Sequence, residues 1–390
     1  MNIINFSHSA VNPIINYSIT DSSSLANLVP KEIWQKIASF LNDCKDVIHL
    51  GLSNRHLCVA LLFDVPLWEI FCQRDFPDSS THPQSNLPAP ALYKQLAIVA
   101  NHMKTPGHYR LKTLTAHDGK VQNIEHYKGM LVSSGSGDET IKIWDLKTGK
   151  VIQTLETGQP VEHISIYDRT KLISVGEDDM IQIFDLETKK LQQILNTNQP
   201  NIISIAVYDD LLFCSSFDGT IKIVNLKTVP EKMQEEIQTL NTNLWSYSIT
   251  AVAGKLFIGT SKGPIKVYDL KTKEELTLRG HKERINCMAV WGNQFISCSS
   301  DSTIKIWDFN TGELLQTLNG HEDRVEKIVV YDDMLISCSE DRAMKIWDLN
   351  TRKILQTLQH KEAPSCITFY EGQIIAGSWN STIKIWDFNF

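Results

Sequence analysis

The chain has 390 residues, which is enough for two or three domains. Its 42% apolar and 21% charged residues are typical of a soluble globular protein, and no apolar run is long enough to cross a membrane. The net charge of −7 disfavours nonspecific binding to nucleic acid, so we expect neither a membrane nor a nucleic acid as a partner.

The N-terminal residues 1–24 are polar, and we predict that they are disordered. They lack the basic start and the long apolar run of a secretory signal peptide.

Residues 25–76 form a segment of different character, with apolar side chains such as Ile33, Ile37 and Leu41 at helical spacing. Pro30 suits the first turn of a helix. The pattern predicts three short helices and a further helical turn, near 30–41, 45–52, 54–63 and 66–74.

The strings VPKEI, DVIHLGLSNR and PLW in this segment resemble the F-box family. Two positions depart from the family pattern, because Val29 precedes Pro30 in place of leucine and Gly51 replaces a helix-forming residue. The resemblance implies docking on the small adaptor of an SCF-type ubiquitin ligase, and through it on cullin. The adaptor-binding positions that it implies are Leu28, Pro30, Ile33, Ile37, Leu41, Val47, Leu50, Leu67 and Trp68. The alternative is that these side chains only pack on one another in a helical cap.

Residues 77–109 are interpreted as a linker, because Ser, Pro and Asn dominate 78–90. A helix is predicted over 91–104, with Leu92 and Leu96 on one face. We expect this helix to fix the angle between two domains, and a flexible tether is the alternative.

A marker pair recurs through the rest of the chain at intervals of 40, 40, 44, 39, 40 and 39 residues. The pairs are Trp144-Asp145, Phe184-Asp185, Val224-Asn225, Tyr268-Asp269, Trp307-Asp308, Trp347-Asp348 and Trp386-Asp387. Within each unit apolar residues alternate with polar ones, as in TIKIWDF, and turn residues separate such runs. The period therefore predicts seven units of about four short strands each.

These units resemble the WD-repeat family, on the evidence of Gly280-His281 before the first strand, Asp301 in a turn and the closing Trp307-Asp308. The resemblance implies a mainly β protein with a seven-bladed propeller over 110–390. Repeat 4 departs most, because Lys262 stands at the position of the turn aspartate. Repeats 2 and 3 lack the histidine and the tryptophan, and we expect them to be looser blades.

The last repeat stops three residues after Trp386-Asp387, so it lacks an outer strand. The string RLKTLTAH at 110–117 matches the outer strand of other repeats but precedes the first one. We predict that residues 110–114 pair with the strand at 382–388 and close the ring.

Three repeats carry a His, Ser and Asp set that looks like a catalytic triad. A copy in each of three blades is not what an enzyme needs, and a tryptophan follows each aspartate by six residues. We therefore predict structural hydrogen-bond networks. Their members are His117, Ser134, Asp138 and Trp144; His281, Ser297, Asp301 and Trp307; and His321, Ser337, Asp341 and Trp347.

The face that holds the turn before each third strand and the start of each first strand often binds ligands in WD-repeat proteins. The resemblance implies the following substrate-binding residues on it: Phe217, Trp245, Tyr247, Arg284, Arg324 and Trp379. Aromatic residues and arginine are enriched at protein interfaces. The two arginines could hold a phosphorylated or acidic segment of a protein substrate, or pair instead with Glu326, Glu340 or Asp323.

The eight cysteines include no CxxC pair, and no Cys/His spacing suits zinc. We expect buried thiols, a reducing compartment, and no metal or cofactor. The expected location is the cytoplasm, or the cytoplasm or nucleus of a host if the protein is a bacterial effector.

Together, the two resemblances predict a non-catalytic substrate receptor of an SCF-type ubiquitin ligase. The alternative is a propeller scaffold for protein interactions with no role in ubiquitin transfer, and the hydrolase hypothesis rests only on the repeated His/Ser/Asp sets.

Overall fold

The structure is a computed structural model, and it describes residues 102–389 apart from 106, 108, 169, 200, 228–236 and 243. The predicted disordered N-terminus, the F-box-like segment and its adaptor-binding positions lie outside the described residues. Of the helix predicted over 91–104, the described part is 102–104, which is helical.

The described chain forms 28 strands in seven four-stranded antiparallel sheets, so the predicted mainly β propeller of seven blades is confirmed. The outer strand β1 is Arg110–Thr115. Blades 1 to 3 are β2 (Val121–Tyr127), β3 (Met130–Gly135), β4 (Thr140–Asp145), β5 (Lys150–Glu156); β6 (Val161–Tyr167), β7 (Lys171–Gly176), β8 (Met180–Asp185), β9 (Lys190–Asn196); and β10 (Ile202–Tyr208), β11 (Leu211–Ser216), β12 (Thr220–Asn225), β13 (Gln238–Asn241). Blades 4 and 5 are β14 (Ser246–Val252), β15 (Lys255–Thr260), β16 (Ile265–Asp269), β17 (Glu275–Leu278); and β18 (Ile285–Trp291), β19 (Gln294–Ser299), β20 (Ile304–Asp308), β21 (Leu314–Leu318). Blades 6 and 7 are β22 (Val325–Tyr331), β23 (Met334–Ser339), β24 (Ala343–Asp348), β25 (Lys353–Gln359); and β26 (Pro364–Tyr370), β27 (Gln373–Ser378), β28 (Thr382–Asp387).

The ring closes through β1, as the unmatched N-terminal string predicted. β1 lies beside β28, and the antiparallel register runs from Arg110 opposite Asp387 to Thr115 opposite Thr382. The seventh blade therefore takes its outer strand from the start of the propeller, and the two ends of the array are joined without an open sheet edge between them.

The core lies between the faces of adjacent blades. The first strand of each blade is innermost and contacts the first strands of its two neighbours, which makes a closed inner ring. The third strands supply the large side chains, and Trp307, Trp347 and Trp386 are each almost fully buried. Period-2 alternation explains this arrangement, because successive residues of a strand face opposite neighbouring blades.

The described residues between 102 and 109 pack on the last blade before β1 begins. The Nδ1–H of His102 donates to the carbonyl oxygen of Phe388 at 2.9 Å, and the Tyr109 ring meets the Phe388 ring edge-on at 6.0 Å. Met103 is fully buried. This segment therefore belongs to the core of the propeller.

Candidate functional site

Histidine-centred hydrogen-bond chains brace three blades. In blade 5 the Trp307 indole N–H donates to Ser297 Oγ at 2.8 Å, and Ser297 lies 2.9 Å from His281 Nε2. His281 Nδ1 lies 2.9 Å from Asp301 Oδ2. A neutral histidine satisfies every group, because the serine donates to Nε2 and Nδ1–H donates to the carboxylate. Blade 6 repeats the arrangement with His321, Ser337, Asp341 and Trp347.

In blade 1 the serine of this network is Ser133, so the prediction of Ser134 was wrong. His117 Nε2 lies 2.7 Å from Ser133 Oγ, and the Trp144 indole donates to the same oxygen at 2.8 Å. Ser134 Oγ instead accepts from the backbone N–H of Asn123. Adjacent residues of a strand face opposite sides, so only one of the two serines can reach the histidine.

In the blade 1 network the histidine is neutral and the aspartate is ionised, as expected for a structural hydrogen-bond network. Burial lowers the pKa of His117, which keeps the imidazole neutral. Burial alone would raise the pKa of Asp138, but hydrogen bonds from Lys142 and His117 reverse this and lower it. The three serine hydroxyls are fully buried and fixed between two partners. They are therefore not open to a substrate, which argues against the hydrolase hypothesis.

Blade 7 carries an incomplete copy that the sequence analysis missed. His360 packs against Trp386, with ring centroids 5.6 Å apart, but Ala376 stands sixteen residues later, where the other blades have serine. His360 Nε2 is consequently buried without a hydrogen-bond partner, and burial lowers the pKa of His360 to about 4. The constant spacing between histidine and serine in the sequence would have located this position.

Blades 2 to 4 are complete four-stranded sheets despite lacking the histidine. In place of the histidine network, a buried threonine before the first strand of each of these blades forms a hydrogen bond to the preceding blade. Thr157, Thr197 and Thr242 each donate a hydroxyl hydrogen bond of 2.6–2.8 Å to the carbonyl of the residue just before the third strand of the preceding blade.

The candidate ligand site is a groove on the ring face that carries the turns before the third strands, here called the upper face. The groove has a volume of about 740 Å³. It lies at the starts of blades 4, 5 and 6, and its lining is Leu244, Trp245, Tyr247, Ser261, Lys262, Lys282, Glu283, Arg284, Ser300 and Arg324. Four predicted residues, Trp245, Tyr247, Arg284 and Arg324, therefore come together.

Three aromatic rings form one cluster at the blade 4 end of the groove. Phe217 meets Tyr247 edge-on at 5.3 Å and Trp245 edge-on at 6.1 Å. Trp245 is 56% exposed and is the most exposed large apolar side chain of the described residues. An exposed indole supported by the Phe217 ring is a ready-made contact for an apolar side chain of a ligand.

Arg284 is held in place beside this cluster. Its guanidinium lies over the Tyr247 ring at 4.8 Å from the centroid, and its Nε donates to Asn286 Oδ1 at 2.7 Å. The predicted alternative, pairing with Glu326, is present but long, at 3.7 Å between Arg284 Nη2 and Glu326 Oε1. Glu326 Oε1 is buried and has no hydrogen-bond partner, so it leaves the donors of Arg284 largely uncommitted.

Positive charge dominates the groove. Lys262, Lys282, Arg284 and Arg324 line it together with a single carboxylate, Glu283. No carboxylate of the described residues lies within ion-pair distance of Lys262, Lys282 or Arg324. The structure therefore does not show the alternative in which Arg324 pairs with Asp323, Glu326 or Glu340. The sequence analysis did not select Lys262 or Lys282, although Lys262 occupies a turn that faces this side.

Trp379 lies outside the groove. Its ring is 52% exposed and is covered by the ammonium of Lys120, 4.2 Å from the centroid. The six predicted substrate-binding residues therefore do not form one site. Five lie in or beside the groove at blades 4 to 6, and Trp379 makes a separate contact with Lys120.

Comparison with known proteins agrees with this architecture. A WD40-like domain matches residues 159–390, which is more than half of the chain, and a WD domain, G-beta repeat, matches residues 109–145. The chain belongs to the WD40-like family. The groove is therefore a surface feature of a WD40 propeller.

Several curated proteins are similar to parts of this WD40 chain. Zinc finger CCCH domain-containing protein 62 of Arabidopsis thaliana is 39% identical over 77 residues, 18% of this chain and 18% of the relative. Eukaryotic translation initiation factor 3 subunit I of Candida glabrata is 25% identical over a match that covers 53% of this chain and 55% of that protein. Nuclear distribution protein PAC1 of Candida glabrata is 22% identical over a match that covers 56% of this chain and 48% of that protein. These matches span about half of the relatives' length or less.

A solved structure shows the same fold. The computationally designed Ika8 protein superimposes with a TM-score of 0.58 and 20% sequence identity, covering 70% of this chain and 98% of that chain. Among the described residues there is no cluster of three or more side chains that could hold a metal ion, and no helix long and apolar enough to cross a membrane.

Proposed function

We propose that this protein is a scaffold for protein interactions, and that the groove at blades 4 to 6 binds an acidic peptide segment with a large apolar residue beside its carboxylates. The single observation that carries the proposal is the excess of unpaired cations around an exposed tryptophan. Three cations without an ion-pair partner, together with Arg284, face one carboxylate.

The chemistry of the groove favours such a ligand. Arginine and lysine on a partly desolvated surface attract carboxylates, and the attraction is screened by salt. The rigid guanidinium of Arg284, already ordered by Tyr247 and Asn286, loses little conformational entropy when it binds. Trp245 provides the apolar contact, and Ser261 and Ser300 provide polar groups at the rim.

Synthetic peptides test this proposal directly. The probe is a peptide that alternates glutamate with phenylalanine, and the matched controls replace each glutamate with glutamine or with lysine. We expect the acidic probe to bind the full chain more tightly than both controls, and its affinity to fall as salt rises. Equal affinity of the acidic and basic probes would refute the proposed ligand class.

A pair of charge variants locates the binding. Arg324→Gln removes one groove cation, whereas Lys190→Gln removes an exposed cation at the start of β9, outside the groove lining. We expect the first change to weaken binding of the acidic probe about tenfold and the second to leave it unchanged, since a groove contact costs over about 1 kcal/mol when lost. Equal effects of both changes would contradict binding at the groove.

A second candidate function rests on the sequence of residues 25–76, which resembles an F-box. In that hypothesis the segment docks the adaptor of an SCF-type ubiquitin ligase, and the groove presents a bound substrate for ubiquitin transfer by other subunits. Tethering would raise the effective concentration of the substrate at the transfer machinery.

Co-purification of the full chain with the adaptor distinguishes the two candidates. The control is the chain with Pro30→Ala and Trp68→Ala, which changes two implied contact positions. Capture that this double change abolishes would support the ligase hypothesis. Absence of capture by a chain that still binds the acidic probe would leave the scaffold without a ligase role.

A further inference from the structure

Two cysteines of blade 5 face each other across neighbouring strands. Cys287 on β18 is the register partner of Cys298 on β19, and both are free thiols. Directly opposite residues of an antiparallel pair have their Cα atoms about 4.5–5.5 Å apart, which is within the range that a disulfide spans. The Cys287 thiol donates to the carbonyl oxygen of Ile328 on the neighbouring strand β22, 3.7 Å away.

The two thiols share one environment but differ in exposure. Both belong to the apolar cluster between blades 5 and 6, with Cys298 fully buried and Cys287 partly exposed. From the facing blade, Lys327 on β22 lies close enough for its charge to act on both sulfurs. A partly exposed cysteine near a cation, with a second cysteine directly opposite it, is the arrangement of a reactive and a resolving cysteine.

We propose that Cys287 and Cys298 form an oxidisable dithiol site, which a hydroperoxide converts into a cross-strand disulfide. The neighbouring Cys298 thiol and the charge of Lys327 outweigh desolvation and lower the pKa of Cys287, which favours its thiolate. Burial raises the pKa of Cys298, which keeps that thiol protonated until it reacts.

The reaction balances with the peroxide as oxidant. The Cys287 thiolate attacks one peroxide oxygen, the O–O bond breaks, and Cys287 becomes a sulfenic acid while hydroxide or an alkoxide leaves. The sulfur of Cys298 then attacks the Cys287 sulfur and displaces its hydroxyl group. That group leaves as water, with the proton from the Cys298 thiol. Two electrons pass from the two sulfurs to the peroxide.

The other described cysteines lack a thiol opposite them. Cys214 faces Ile205, Cys338 faces Lys327, and Cys366 faces Gly377. They therefore serve as internal controls, since Cys338 and Cys366 lie near the same lysine but have no cysteine as the register partner on the neighbouring strand.

The disulfide would form beside the groove. A β-bulge separates Ile285 from Cys287, and the extra residue, Asn286, is the one whose side chain orients Arg284. The dithiol site is independent of what the groove binds, because neither cysteine lines the groove.

Peptide mass analysis after treatment with hydrogen peroxide tests the proposal on the full chain. Trypsin cleaves after Arg284 and after Lys305, so one peptide, 285–305, contains both cysteines. We expect this peptide to become lighter by two hydrogens and to resist alkylation until it is reduced. The peptides that contain Cys338 and Cys366 should remain alkylated under the same conditions.

Two variants identify the order of attack. In Cys298→Ser we expect Cys287 to accumulate as a sulfenic acid that a dimedone probe captures, and in Cys287→Ser we expect Cys298 to stay reduced. Full alkylation of peptide 285–305 at peroxide levels that oxidise free glutathione would overturn the proposal. So would a disulfide that joins Cys298 to Cys338.

Discussion

Arg284 lies over the ring of Tyr247 with its guanidinium carbon 4.8 Å from the ring centroid, while its nearest carboxylate, Glu326, stays at 3.7 Å. The arginine is thus ordered by an aromatic face and by an amide, and is not neutralised by a close ion pair. This combination gives the groove a pre-positioned cation next to the exposed Trp245.

The polar chain of blade 1 predicts unequal roles for two adjacent serines. Ser133→Ala leaves the His117 ring nitrogen and the Trp144 indole without their shared partner in a buried site. We expect a loss of about 1–3 kcal/mol in the free energy of unfolding. Ser134→Ala is the matched control, because it removes one acceptor of a backbone N–H, and we expect a smaller loss. Denaturant unfolding of both variants measures the difference, and a larger loss for Ser134→Ala would contradict it.

The incomplete chain of blade 7 predicts a stabilising change. Ala376→Ser would place a hydroxyl sixteen residues after His360 and give its Nε2–H an acceptor, because Nδ1 already accepts from the backbone N–H of Glu362. We expect a gain of about 1 kcal/mol in the free energy of unfolding, since a buried unpaired donor becomes satisfied. Ala343→Ser serves as a control at another buried alanine, where we expect no gain. Thermal melts that rank both variants below the parent would count against this account.

Ring closure by β1 predicts a global effect of a short deletion. Removing residues 109–115 deletes no complete repeat but exposes the edge of β28 along its whole register. We expect the melting temperature of the entire propeller to fall, because the two ends of the array are then unjoined. Deletion of residues 2–8 is a control of equal length. A closure variant that melts at the temperature of the parent would be incompatible with the topology.

Glu326 predicts a pH dependence of ligand binding. Its burial, with help from Glu340, raises the pKa of its carboxyl group, although Arg284, Lys120 and Lys327 oppose the rise. Glu326 therefore becomes neutral at a higher pH than the carboxylates of a solvated peptide, which titrate near about 4.3. As the pH falls, Glu326 therefore loses its negative charge before the peptide carboxylates lose theirs, and this loss should raise the affinity for an acidic peptide.

Titration of the acidic probe against the chain at several pH values measures this effect. In Glu326→Gln the charge is absent throughout, so we expect higher affinity at neutral pH and a flatter profile. A Glu326→Gln variant with unchanged affinity and an unchanged pH profile would show that Glu326 does not oppose the ligand.

The sequence predicted the parts of the structure that repeat. Seven marker pairs fixed the number of blades, and a displaced outer-strand string fixed the closure, because period and strand pairing leave a clear trace in the order of residues. The choice between Ser133 and Ser134 failed because both are serines on a buried strand and only the facing side separates them. The groove required the fold, since Trp245, Arg284 and Arg324 come from three different blades.

The contribution of Trp245 to binding tests the central claim most directly. The measurement is calorimetric titration of the glutamate–phenylalanine probe into the parent, into Trp245→Ala, and into the control Leu191→Ala, whose side chain is 46% exposed on an outer strand. The account predicts that Trp245→Ala weakens binding at least tenfold, consistent with loss of an aromatic anchor, while Leu191→Ala binds as the parent and all three melt alike. Equal binding by the Trp245→Ala variant and the parent would contradict the account.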